Sequence, residues 1–144
     1  MKKVYSLLLV LIFALPVFGQ NKDAVVGKWL SESGEGQIQI YKKGDRYFGK
    51  LVCLKFPDVD DGKPKVDARN PDPAKQKRTI NGLELLQNFS FSGDNVWEDG
   101  TIYDPKTGKT YSCKLTLVSN NKLNIRGFIG ISILGRTEKW TRVK

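Results

Sequence analysis

The residues suited to chemistry in this 144-residue chain are defined first by one that is missing: there is no histidine. Without it neither a Ser-His or Cys-His catalytic pair nor a histidine-ligated metal centre can be built, which closes the commonest routes to hydrolysis. Carboxylates and tyrosines remain. Glu98 and Asp99 are adjacent, and neighbours on a strand point to opposite faces, so this pair cannot flank one glycosidic bond. Asp58-Val59-Asp60-Asp61-Gly62 gathers carboxylates of the kind that hold hard cations. Its spacing fails the helix-loop-helix calcium pattern, because with Gly62 at the turn position Ala68 falls where the bidentate Glu belongs. Gly34-Glu35-Gly36 has no following helix to make a phosphate loop. The sequence therefore assigns no catalytic residue, no metal ligand and no cofactor.

Two polar groupings are left as candidates for binding. Lys55 to Arg78 holds Pro57, Pro64, Pro71 and Pro73 and alternates acid with base. Asn70-Pro71-Asp72-Pro73 folds locally, since Asn and Asp side chains bond nearby backbone and each Pro restricts its predecessor. A connection this long is either an ordered flap, placed over one mouth of a barrel, or a flexible surface excursion without a role. The second grouping comes from strand parity near the C-terminus. If Lys139 faces solvent, then Arg136, Glu138, Trp140 and Arg142 share the other face, an odd set for an apolar core. Either a bulge breaks the alternation, or charged groups enter the interior. On the second reading Asn70, Asp72, Arg78, Tyr103, Tyr111, Arg136, Glu138 and Trp140 are the candidate ligand-binding residues.

The elements that position them are strands. Beyond Gln20 no segment carries apolar residues at helical spacing for three turns, whereas short alternating runs recur between turn signals. The runs are Val26 to Leu30, Gln37 to Lys43, Arg46 to Leu54, Gly82 to Leu86, Phe89 to Phe91, Val96-Trp97, Thr101 to Tyr103, Thr110 to Val118, Lys122 to Arg126 and Arg136 to Val143. Asp104-Pro105-Lys106-Thr107-Gly108 suits a hairpin of several residues with a bulge. Hairpin-length connections give an all-β, antiparallel up-and-down meander, and about eight strands closing on themselves remove the exposed edges. Residues 20–144 are expected to form this single barrel domain, with 55–78 as its long loop or flap.

Residues 1–19 read as a signal peptide. Met1-Lys2-Lys3 precedes an apolar run from Val4 to Val17, too short to span a bilayer comfortably, and Val17 and Gly19 suit cleavage before Gln20. No cysteine stands there to accept a lipid, and no later stretch is apolar and long enough to stop transfer. The expectation is an exported protein, periplasmic or secreted, with no membrane span after processing. The chain has 24 Lys and Arg against 15 Asp and Glu; loss of Lys2 and Lys3 leaves 22 against 15, a net +7. Export makes nucleic acid an unsuitable partner for that charge and leaves an anionic envelope component, although bases interspersed with acids also describe a solvated outer face. In an oxidising compartment Cys53 and Cys113 either pair or, sharing parity with Leu51 and Leu115, sit buried as separate small hydrophobes.

Gly27-Lys28-Trp29 resembles the G-x-W signature on the first strand of lipocalins and related calycin barrels. That resemblance implies that Trp29 plugs the closed end, that Gly27 lets another segment cross close to the backbone, and that Arg142 lies across the indole. A broader resemblance rests on Asp67-Ala68-Arg69-Asn70-Pro71-Asp72, Arg78 through Gly82, Trp97 through Pro105 with Gly108-Lys109-Thr110-Tyr111, Arg126-Gly127-Phe128-Ile129-Gly130, and Trp140. These motifs, in this order, resemble the exported bacterial family called domain of unknown function 2147, which implies a calycin-like barrel and no established activity. Ile80-Asn81-Gly82 departs from the family pattern, where a cysteine before the glycine is expected in many relatives. Three functions fit: a barrel binding a small apolar or amphipathic molecule under the flap, a filled barrel acting as an envelope interaction module, or a histidine-independent enzyme.

Overall fold

Alternation becomes architecture in eight antiparallel strands. They are β1 (Gly27–Leu30), β2 (Gly36–Lys43), β3 (Arg46–Leu54), β4 (Glu84–Gly93), β5 (Val96–Asp104), β6 (Lys109–Ser119), β7 (Lys122–Phe128) and β8 (Gly135–Arg142). The computed structural model describes residues 21–59 and 61–144; the expected leader and the expected N-terminus at Gln20 lie outside the described residues. Each strand pairs with the next, and β1 pairs with β8, Trp29 opposite Arg142, so the sheet closes into a barrel with no free edge.

The inward face is mostly apolar. Ile38 and Ile40 on β2, Cys113, Leu115 and Leu117 on β6, and Leu123 and Ile125 on β7 are buried at alternate positions. Trp29, Tyr47, Phe89, Trp97 and Trp140 supply five large rings, none more than 3% exposed. Burying side chains of this size stabilises by about 1.5–3 kcal/mol each, which makes the interior the main source of stability. Outward positions carry charge, including Lys28 on β1 and Lys50 on β3, both exposed. A barrel apolar inside and charged outside is the inverse of one that spans a membrane with its strands.

The four short runs Gly82 to Leu86, Phe89 to Phe91, Val96-Trp97 and Thr101 to Tyr103 are two continuous strands. The gaps between them are places where the backbone enters the left-handed region, at Asn88 (φ 64°) and Asp99 (φ 64°). Asn and Asp tolerate that region better than other side chains. Each insertion resets the parity, so Leu86 and Phe89 both face inward although three residues apart, as do Trp97 and Gly100. The Phe89 ring then fills the space over Gly100, where a Cβ would stand 2.5 Å from ring atoms.

A similar shift corrects the cysteine expectation. Leu51 pairs with Ile38 but Cys53 pairs with Gln37, so a bulge at Val52 turns Cys53 outward while Leu51 stays buried. Cys53 is an exposed free thiol and Cys113 a buried one, and they form no disulfide. Burial pushes the Cys113 thiol up to about 12, which leaves it inert.

One end of the barrel is plugged by residues 21–26. Trp97 Nε1 donates to the Lys22 carbonyl (2.9 Å), Tyr47 OH to Asp23 Oδ1 (2.5 Å), and Trp29 Nε1 to the Val25 carbonyl (2.9 Å). Arg142 adds bonds to Ala24 (2.7 Å) and Val26 (3.1 Å) and holds its guanidinium 4.3 Å from the centre of the Trp29 ring. Gly27 permits this crossing: its φ is +143°, and a Cβ there would lie 2.6 Å from Arg142 Nη1.

Candidate functional site

The opposite end carries the connections 31–35, 55–83, 105–108 and 129–134, as the up-and-down order requires. Among them 55–83 is an ordered flap. Its two arms are held by backbone bonds Lys65 to Pro57 (2.9 Å), Ile80 to Lys65 (3.0 Å) and Asp67 to Arg78 (2.9 Å). A single 3-10 turn, Pro73–Lys75, is capped by the Asp72 side chain, which accepts from Ala74 N at 3.0 Å.

The flap folds around Asp67, a buried carboxylate with 0% exposure. Tyr103 OH donates to Oδ1 at 2.5 Å; Asn70 Nδ2 donates to Oδ2 at 2.8 Å and Arg78 Nε to the same oxygen at 3.0 Å. Arg78 Nη2 completes the ion pair at 3.0 Å. Burial alone would raise the Asp67 carboxyl, but donation from Tyr103, Asn70 and Arg78 outweighs it and holds the group below its ordinary range. Burial and the bond to Asp67 push the Tyr103 phenol upward, which keeps it a donor. Both Asp67 oxygens accept bonds from protein donors and the side chain is shielded from water, so the carboxylate faces its own partners and no substrate space. It is a staple.

The staple fastens the flap to the outside of the barrel wall. Ile102 pairs with Tyr111 and packs on the core, so Tyr103, one residue on, lies on the outer face of β5. The flap also touches the β5–β6 hairpin at Gly108 (φ +74°), where any Cβ would collide with the Arg69 carbonyl.

These flap and hairpin residues lie inside the span 27–142 that matches the family model described as "Uncharacterized protein conserved in bacteria (DUF2147)". The chain belongs to the DUF2147 family. Among solved structures it is similar to protein HP1028 from Helicobacter pylori, described as belonging to the lipocalin family. The TM-score is 0.71 at 22% identity, covering 83% of this chain and 82% of that one. At that identity the likeness establishes a lipocalin-like fold. No curated protein matches.

In this DUF2147 barrel the candidate binding residues divide into two sets. Asn70, Arg78 and Tyr103 meet at Asp67, with Asp72 joined through its N–H to Asn70 Oδ1 (2.9 Å). Tyr111, Arg136, Glu138 and Trp140 belong to the inward parity of β6 and β8, opposite Ile102, Gly127, Ile125 and Leu123. The wall therefore separates Tyr103 from Tyr111. Trp140 is core, and its Nε1 donates to Glu138 Oε2 at 3.0 Å; Arg136 reaches the rim exposed. Charged groups do enter the inward parity of β8, Arg136 and Glu138 toward the rim and Arg142 at the plugged end. Asp67, the centre of the first set, opens a motif of the family resemblance but was not among the candidate binding residues, because one Asp among fifteen acidic residues looks like a surface charge until the fold buries it.

Two surface cavities of about 270 and 290 Å³ are present. One is lined by Val118, Lys122, Asn124 and Lys139, and the other by residues around Arg46 and Ser90 near the plugged end. Both lie against the outer wall or lower rim. The groups of cysteines and carboxylates among the described residues include no set that could hold a metal ion.

The remaining feature of the rim is apolar. Ile129, Ile131, Ile133 and Leu134 in the β7–β8 connection are 72%, 61%, 77% and 73% exposed, and Phe56, Val59 and Val66 of the flap stand 42–55% exposed at the same end. Two carboxylates here are engaged: Glu35 pairs with Lys106 at 2.9 Å, and Asp104 accepts from Lys106 N at 2.9 Å and from Thr107 Oγ1 at 3.2 Å.

Proposed function

We propose that this DUF2147 protein is an exported, filled barrel that works as an envelope interaction module through its flap-end rim. The observation that carries the reading is the division of apolar side chains between interior and rim. Five large rings occupy the core, while seven apolar side chains stand in water at one end. Exposed aliphatic groups concentrated in one place mark a binding surface more often than a neutral one. The second reading keeps the lipocalin-like fold's small-molecule role. It is favoured by the half-buried inward positions Ile102, Tyr111 and Glu138 below the rim, which would take the end of an amphipathic molecule.

Two measurements separate these readings. Protein purified from its native host, extracted with organic solvent and examined by mass spectrometry, is expected to release no specific molecule, and an apolar fluorescent dye is expected to find no interior site. A stoichiometric molecule lost when residues 60–75 are excised overturns the filled module in favour of the binding barrel. Export is tested by intact mass, with the mature species expected to begin at Gln20. A species retaining Met1 to Gly19 replaces the free protein with an anchored one.

A further inference from the structure

We propose that the β7–β8 connection inserts into the surface of an anionic phospholipid bilayer, which makes the rim a membrane-docking edge. The inference rests on the filled-module reading and names its partner. The loop is built to present its side chains. Arg126 on β7 donates through Nη1 to Thr137 Oγ1 (2.8 Å) and through Nη2 to the Ile133 carbonyl (3.2 Å), clamping the returning half of the loop to the barrel wall. The turn from Ile131 to Leu134 is closed by the bond from Leu134 N to the Ile131 carbonyl (3.1 Å). On this braced loop Ile129, Ile131, Ile133 and Leu134 all stand more than 60% exposed.

The shape and charge of this edge select the occupant. Four aliphatic side chains on a loop tip make a point of insertion, far short of the roughly 800 Å² per partner that a stable protein interface buries. A second copy is further opposed by like charge, since each chain carries a net +7 beyond its leader, 22 bases against 15 acids. Anionic headgroups meet the opposite situation. Arg136 at the end of the loop, Lys109 on the neighbouring hairpin and Lys55 on the flap are exposed. Of the carboxylates at this end, Glu35, Asp104 and Asp67 are engaged in bonds within the protein, and the exposed Asp58, Asp61 and Asp72 lie in a flap, residues 55–83, whose seven bases outnumber its five acids. Cations around exposed aliphatic groups combine the two forces that hold peripheral proteins on membranes, apolar insertion and attraction to acidic lipid.

The test is flotation of the full mature protein with vesicles of phosphatidylglycerol and phosphatidylcholine in equal parts, and with phosphatidylcholine alone. Binding is expected to the first, to weaken with salt, and to fall about tenfold or more when Ile131, Ile133 and Leu134 are all replaced by Ser. Arg136→Glu combined with Lys109→Glu should lower binding to acidic vesicles while leaving the weak phosphatidylcholine signal unchanged. All five positions are exposed, so the variants should melt as the parent does. Equal flotation of parent and triple Ser variant overturns the proposal, and so does a parent that does not float. A concentration-dependent dimer abolished by the Ser changes, without vesicle binding, also overturns it and gives the rim to a second copy. If the vesicles fail while the interior still excludes dye, the lipid partner alone is wrong. If dye enters the barrel, the filled-module reading fails whatever the vesicles show.

Discussion

Replacing Trp29 with alanine should destabilise the barrel by about 3–5 kcal/mol, the cost of deleting a large buried aromatic that the surroundings cannot collapse to fill. The ring is fully buried, its Nε1 donates to the Val25 carbonyl at 2.9 Å, and the Arg142 guanidinium covers one face at 4.3 Å. Truncation therefore removes a core side chain, a buried donor and a stacking partner together. Coupling to Arg142 distinguishes this site from an ordinary core position. Arg142→Ala removes the same stacking contact, so the double variant should be more stable than the sum of the singles implies, by roughly 0.5–3 kcal/mol. Gly27→Ala should perturb the same latch from outside, because the new methyl meets Arg142 Nη1 at 2.6 Å on a backbone with φ +143°. Denaturant melts of the parent and the four variants measure these effects, and strict additivity of Trp29→Ala and Arg142→Ala would remove the argument that arginine and indole close the barrel together.

The second large effect is local. Asp67→Asn should release the flap while leaving the barrel folded, because the carboxylate joins Tyr103 of the wall to Asn70 and Arg78 of the flap. Hydrogen bonds to a charged group contribute about 1.5–3 kcal/mol each, and Arg78, 40% exposed, recovers part of its loss by returning to water. We expect the flap to open at a cost lowered by about 2–3 kcal/mol, seen as faster amide exchange and proteolysis confined to residues 63–82. The pH dependence follows from the direction of the shift. The folded Asp67 carboxyl lies below its unfolded value, so its contribution is fully present above the ordinary carboxylate range and is lost as pH falls through the folded value. Flap protection in the parent should decline below about pH 4, and Asp67→Asn should flatten that decline. Asp23 is also held low, first by its bond from Tyr47, but it sits at the plugged end, and a flap readout leaves it out. Uniform loss of protection over the whole barrel in Asp67→Asn would show that the flap belongs to the core.

The barrel was legible because alternation survives wherever a strand has one wet and one dry face. Ile38 and Ile40, or Leu115 and Leu117, announce their orientation unaided. Legibility ended at the bulges. One extra residue at Val52 reversed Cys53, and left-handed Asn88 and Asp99 made two strands read as four, because parity is a count and each insertion shifts it. The latch residues Gly27, Trp29 and Arg142 were reached through the resemblance to the lipocalin G-x-W signature, and the structure places them as it implies. The segment they grip could not be found in the sequence, since its acceptors are mostly main-chain carbonyls, which every sequence supplies equally. On the rim the polar residues of the flap were visible as a group, but not the face of the wall they would attach to. That choice depends on Tyr103 being outward, which follows only from the register of β5 against β6.

The plug has a kinetic meaning as well as a static one. Arg142 reaches Ala24 across 118 positions of chain, so the first described residues and the last strand complete each other. Loop-closure entropy opposes so distant a meeting until the intervening hairpins have shortened the path, and topologies dominated by distant pairings fold slowly. Strand pairs such as β4–β5 and β6–β7 can form from neighbours alone, whereas residues 21–26, beyond their local turns and the bond to Trp29, are held only once Tyr47, Trp97 and Arg142 share one end. Residues 21–26, made before any strand, are thus the last to be fully immobilised, and a nascent chain must leave them uncommitted until β8 has arrived.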